Sequence, residues 1–224
     1  MLKPNFSRCE QAAVKLLLCQ REPSLAVDVR RLKFSKKILF DTFAHYGEIT
    51  GLTKEEMTEG ELKDGCLIRR GELSLILYQE KGKSKRRLNW TLAHEVGHVY
   101  LEHEKDGERE EIEAHYFASQ LLLPDIALVY LQKNLEILTP EMIAEFFGVS
   151  VLAARKKLET MKRNGMNGPR TRKKKFPHCF SQENQRLLDR YQPQLRALVE
   201  RSNHGQGARE ELSRVEEQWL YGFL

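Results

Sequence analysis

His94-Glu95-Val96-Gly97-His98 constrains this chain more than any other stretch, because its chemistry works only on a helix. Histidines at i and i+4 share one helix face, so both imidazoles can reach one metal ion. The glutamate after the first histidine is the residue type that accepts a proton from an activated water. Leu92 and Ala93 before the motif, with Val99 and Leu101 after it, supply apolar side chains to bury such a helix. Gly97 costs about 1 kcal/mol relative to alanine inside a helix, so it calls for a close approach by another backbone or by a substrate. The bland alternative is a histidine pair on an ordinary amphipathic helix.

A catalytic zinc site takes three protein ligands and keeps one position open. His103 does not complete an HExxHxxGxxH pattern, which needs glycine at Leu101 and histidine at Glu104. A carboxylate from a second helix is the other route. Residues 110–118 offer Glu110, Glu111 and Glu113 on a segment whose helical stripe is Ala114, Phe117, Ala118, Leu121 and Leu122. Glu111 lies three residues before Ala114 and four before His115, at the inner edge of that stripe. Glu110 and Glu113 project elsewhere. Glu111 is therefore favoured as third ligand, Glu113 is the runner-up, and a solvated acidic face is the default for such a run.

Three linked blocks then resemble a known family. They are Trp90-Thr91-Leu92-Ala93-His94-Glu95-Val96-Gly97-His98, then Glu111-Ile112-Glu113-Ala114-His115-Tyr116-Phe117-Ala118, then Leu121-Leu122-Leu123-Pro124. Their order and spacing are similar to those of the ImmA/IrrE metallopeptidases, over about residues 10 to 162. The resemblance implies a gluzincin-type site, with Zn2+ on His94, His98 and Glu111 and with Glu95 as general base. Two positions depart from the family pattern. His115 stands where asparagine is usual, and Leu123 replaces a methionine. The resemblance also implies a protein substrate, a transcriptional repressor encoded separately, since no DNA-binding domain precedes the peptidase block.

An imidazole or phenol is needed to stabilise the oxyanion of a peptide being cut. His103, His115, Tyr100, Tyr116 and Tyr130 are the candidates, and His115 or His103 could instead orient a ligand histidine.

The expected architecture is α+β: a mostly helical zincin-like domain over residues 1–138 with a small β-sheet. Residues 8–20 read as a helix that Pro23 ends, and residues 25–46 as helical or mixed. Residues 66–68 and 73–78 read as two strands around Gly71. Strand 73–78 is a candidate for pairing with an extended substrate, and a purely structural strand is its alternative. Residues 81–87 form a basic loop. Thr139-Pro140 opens a helix running to Gly148, and Ser150 caps a second one. This helix-turn-helix-like pair, residues 139–163, is expected to complete the core. Arg155, Lys156 and Lys157 would suit a DNA reader, which is the disfavoured alternative.

Residues 164–182 form a basic linker containing the 170–175 cluster and His178-Cys179, and residues 183–224 form a helical extension. That extension is expected to kink at Pro193 and to end in an amphipathic helix carrying Leu212, Val215, Trp219 and Leu220. The net charge of +5 admits acidic partners or nucleic acid without choosing between them. No apolar run spans a membrane and no signal peptide opens the chain, so a cytoplasmic protein is expected. Cys9, Cys19, Cys66 and Cys179 show no framework spacing and are read as free thiols.

Overall fold

The computed structural model describes residues 3–61, 63–105, 107–165 and 181–221, with side chains in the last segment up to residue 203. The basic cluster 170–175, His178, Cys179 and the side chains of Leu212, Val215, Trp219 and Leu220 lie outside the described residues.

The fold is α+β and mostly helical, as expected. Helix α1 (Phe6–Leu18) starts at an Asn5 cap whose side chain accepts from the Arg8 amide. It ends at Leu18, five residues before Pro23 and not because of it. The mixed segment resolves into a 3-10 turn (Val29–Arg31), strand β1 (Lys37–Thr42) and helix α2 (Phe43–Thr50). After α3 (Lys54–Met57) come β2 (Gly65–Arg70) and β3 (Leu73–Tyr78), an antiparallel hairpin turning at Gly71, φ 57°. β1 pairs with β3 in parallel, so the sheet order is β1-β3-β2. β3 is therefore central, with partners on both sides, and cannot offer an edge to a peptide. The expectation that it pairs with substrate is corrected on that ground.

Ser84 caps α4 (Lys85–Tyr100), so Lys85, Arg86 and Arg87 of the expected basic loop form its first turn. Cations there oppose the helix dipole. Asp64 offsets them through Lys83 at 2.7 Å and the Arg87 guanidinium at 2.5 Å. Helix α5 (Glu108–Leu122) lies against both α1 and α4. Ala114, Phe117, Ala118, Leu121 and Leu122 are all buried on it, as the helical stripe requires.

Helices α6 (Asp125–Asn134), α7 (Pro140–Phe147) and α8 (Val151–Arg163) follow. Thr139 and Ser150 cap the last two. Ile143, Ala144, Phe147, Ala154 and Met161 bury into the same core as α1, α4 and α5. Lys157 is not displayed for a ligand. Its Nζ lies 2.7 Å from Asp125 and 3.1 Å from the Ser119 hydroxyl, buried between α5, α6 and α8. The C-terminal extension is one helix, α9 (Gln182–Tyr221), which runs through Pro193 without ending. It packs on α1 and α6. No helix among the described residues is long and apolar enough to cross a membrane.

Candidate metal centre

α4 and α5 cross where Gly97 meets Ala114. A Cβ at Gly97 would stand 3.2 Å from the Ala114 Cα and carbonyl oxygen and 3.1 Å from Phe117. Glycine is there for the approach of another backbone, which brings the first turn of α5 beside the histidine face of α4.

Three side chains converge at that crossing. His94 Nε2 and His98 Nε2 are 3.1 Å apart. The Glu111 carboxylate places one oxygen 3.2 Å from His94 Nε2 and the other 3.4 Å from His98 Nε2. Ligands held about 2.0–2.2 Å from a tetrahedral zinc are about 3.3–3.6 Å from one another. The three donors match that spacing to within a few tenths of an ångström, and their N/N/O chemistry suits zinc. Hydrogen bonds from both histidines hold the Glu111 carboxyl well below the usual carboxylate range. Glu113, the runner-up, points away: its oxygens meet His103 Nε2 at 3.0 Å and the Asn5 amide at 2.7 Å. Glu110 is beside Arg109.

Glu95 is nearly buried, with Gly65 directly against it. A Cβ at Gly65 would come within 3.0 Å of Glu95 Oε1 and 2.7 Å of the Thr91 methyl. The edge strand β2 thus begins at the general-base candidate, a neighbour that no sequence signal identified.

The oxyanion candidates separate clearly. His115 stays at the site: its ring centroid is 4.3 Å from that of His94, and its donor atom lies within 4.8 Å of those of His94 and Glu111. His103 is buried behind His98, Nδ1 to Nδ1 at 3.2 Å, and does not face the cleft. Burial pushes the His103 pKa down despite the opposing pull of Glu113. Tyr100 turns its hydroxyl to Ser35 and stacks on Phe117. Tyr116 packs on Phe6, and burial raises its pKa far above the usual phenol value. Tyr130 packs half-buried against the core, and no hydrogen bond or ring contact among the described residues joins it to the three ligands. Tyr100 and Tyr116 are thereby engaged away from the three converging side chains.

Carbonyls at the C-terminal end of α4 are met by cations and amides. Arg69 of β2 and the His103 amide donate to the His98 carbonyl, Lys36 to Val99 and Arg8 to Leu101. Cations at a helix C-terminus are favourable, and here they also fix the turn carrying His98. Among the described residues Cys9, Cys19 and Cys66 form no disulfide. Burial, then the charge of Glu113, pushes Cys9 up to about 12.

No curated protein matches the chain. A family model does match, over residues 54–159, just under half of the chain and starting well after residue 10. That segment holds both helices of the crossing and all three converging side chains, and it is the part of the chain that matches the peptidase family Peptidase_M78, the IrrE N-terminal-like domain.

Proposed function

We propose that the protein is a zinc-dependent endopeptidase that hydrolyses a peptide bond in a protein substrate, a separately encoded transcriptional repressor. The observation that carries this reading is the triangle of His94 Nε2, His98 Nε2 and a Glu111 carboxylate, with sides of 3.1, 3.2 and 3.4 Å, beside a nearly buried glutamate. With His94, His98 and Glu111 as ligands and His115 kept off the metal, a position stays open for water and substrate. Bound zinc supplies a Lewis acid that polarises the scissile carbonyl and lowers the pKa of its water to about 7.

The chain's own residues do the rest. Glu95 takes the proton of the attacking water and returns it to the leaving amine. Its seat against Gly65 keeps the carboxylate in one place as the proton moves. His115, adjacent to His94, is the imidazole positioned to donate to the developing oxyanion. The repressor assignment rests on the family resemblance.

Elemental analysis and a comparison of new protein N-termini in cells test the reading together. Wild type should carry about one zinc per chain, and Glu111→Ala should lose most of it. Cells expressing wild type should show new N-termini in a repressor that are missing with Glu95→Gln, although that variant keeps its zinc. The same N-termini produced by Glu95→Gln would overturn the mechanism, and a wild-type chain that takes up no zinc would overturn the peptidase reading.

A further inference from the structure

His94 and His98 are held in different ways. The Nδ1 of His94 is buried with no hydrogen-bond partner among the described residues, so on that side of the ring only packing, His115 included, orients it. His98 has a built support. Its Nδ1 meets His103 Nδ1 at 3.2 Å, and His103 Nε2 meets a Glu113 oxygen at 3.0 Å. The other Glu113 oxygen accepts the Asn5 amide at 2.7 Å, with Arg109 at 3.6 Å. His103 is 7% exposed and Glu113 1%, so water does not stand in for either partner.

We propose that His103 and Glu113 form a one-directional relay that fixes which nitrogen of His98 is presented to the metal, and that α1 belongs to the metal centre because its first amide anchors the relay. The proposal rests on the reading of His98 as a ligand. The direction follows from donor counting. An ionised carboxylate only accepts, so Glu113 requires the hydrogen of His103 on Nε2. On neutral His103 the Nδ1 then carries a lone pair, and His98 must donate to it from Nδ1. That leaves the lone pair of His98 on Nε2, the atom turned toward His94 and Glu111. The reverse order would set a lone pair of His103 against a carboxylate oxygen. A partner on the free nitrogen of a ligating histidine fixes its tautomer and its ring plane. Asn5 and α1 lie outside the segment 54–159 that the family model matches.

Zinc affinity of the full chain, read by competition with a chromophoric chelator, tests the relay. His103→Gln keeps an acceptor toward His98 and a donor toward Glu113 and should bind zinc within a few-fold of wild type. His103→Leu should bind it roughly 10- to 100-fold more weakly. Asn5→Pro, which lacks the amide hydrogen, should bind more weakly than Asn5→Ala, which keeps it. Histidine 15N shifts in wild type, with and without zinc, should show His103 protonated on Nε2. The relay is overturned if His103→Leu binds as tightly as wild type, if His103→Gln falls as far as His103→Leu, or if His103 is protonated on Nδ1. Equal affinities of the two Asn5 variants would remove α1 from it. Should wild type bind no zinc, the peptidase reading fails on its own, and the 15N shifts of the metal-free protein still decide the relay. They also decide it if His103→Leu does not fold.

Discussion

Gly65 is where one missing side chain controls a proposed chemical step. A methyl group there would press on Thr91 at 2.7 Å and on the Glu95 carboxylate at 3.0 Å, while the three ligands lie on other atoms of the α4–α5 crossing. Gly65→Ala should therefore displace the base and spare the metal. A misplacement of about 1 Å can cost about a hundredfold in rate. The expected outcome is a 10- to 100-fold fall in kcat on whichever protein substrate the wild type cleaves, with zinc content unchanged. Loss of zinc in proportion to activity would show that Gly65 supports the fold and not the base. The two kinds of site residue differ in how far the sequence reveals them. His94, His98 and Glu111 are legible because each pair or stripe repeats at helical spacing, which a linear reading can count. Gly65 lies thirty residues before Glu95 on another element. The His103–Glu113 pair joins a post-helix turn to the second turn of α5. Both depend on packing, and spacing carries no record of it.

Among the elements, the α4–α5 crossing decides whether the ligands meet. Gly97 permits it, with Ala114 and Phe117 already at 3.1–3.2 Å from the position of a Cβ. Gly97→Ala gains about 1 kcal/mol of helix propensity but overpacks the crossing at a cost of about 1–3 kcal/mol. The net should be a destabilisation of up to about 2 kcal/mol in urea unfolding, together with weaker zinc binding, because α5 carries Glu111 as it shifts outward. A stabilised variant with intact zinc affinity would show that the contact has room to spare. The helix caps, the hairpin and the paired helices α7 and α8 were readable, since Ser/Thr caps, Pro140 and the turn glycines have local causes. β1 was not readable as a strand. Its outward residue Leu39 is apolar and 55% exposed, which blurs the alternation, and its pairing with β3 joins residues about 36 positions apart. That missed pairing is also what makes β3 central.

At the scale of the whole molecule, α9 completes α1, and α1 in turn reaches Glu113, beside the candidate metal centre, through the amide of its cap residue Asn5. Arg190 donates to the carbonyls of Leu18, Gln20 and Arg21, ending α1 with a side chain 170 residues away. The Asn184 amide donates to Glu10 inside the same interface. Leu187, Tyr191 and Leu195 repeat at i, i+4 and i+8, and none is more than 1% exposed. The stripe was legible from its spacing, but its partner was not, because periodicity says which face is apolar and never what covers it. If α9 is part of one cooperative unit, damage to this stripe must be felt at α4. Leu195→Ala should cost about 2–5 kcal/mol, the usual range for a fully buried leucine. The check is urea unfolding in a Trp219→Phe background, where fluorescence reports Trp90 on α4 and circular dichroism reports all helices. Both probes should show one transition, shifted equally by Leu195→Ala. A Trp90 transition that stays in place while helicity is lost earlier would mean that α9 unfolds alone. α1 would then hold the metal centre without its help.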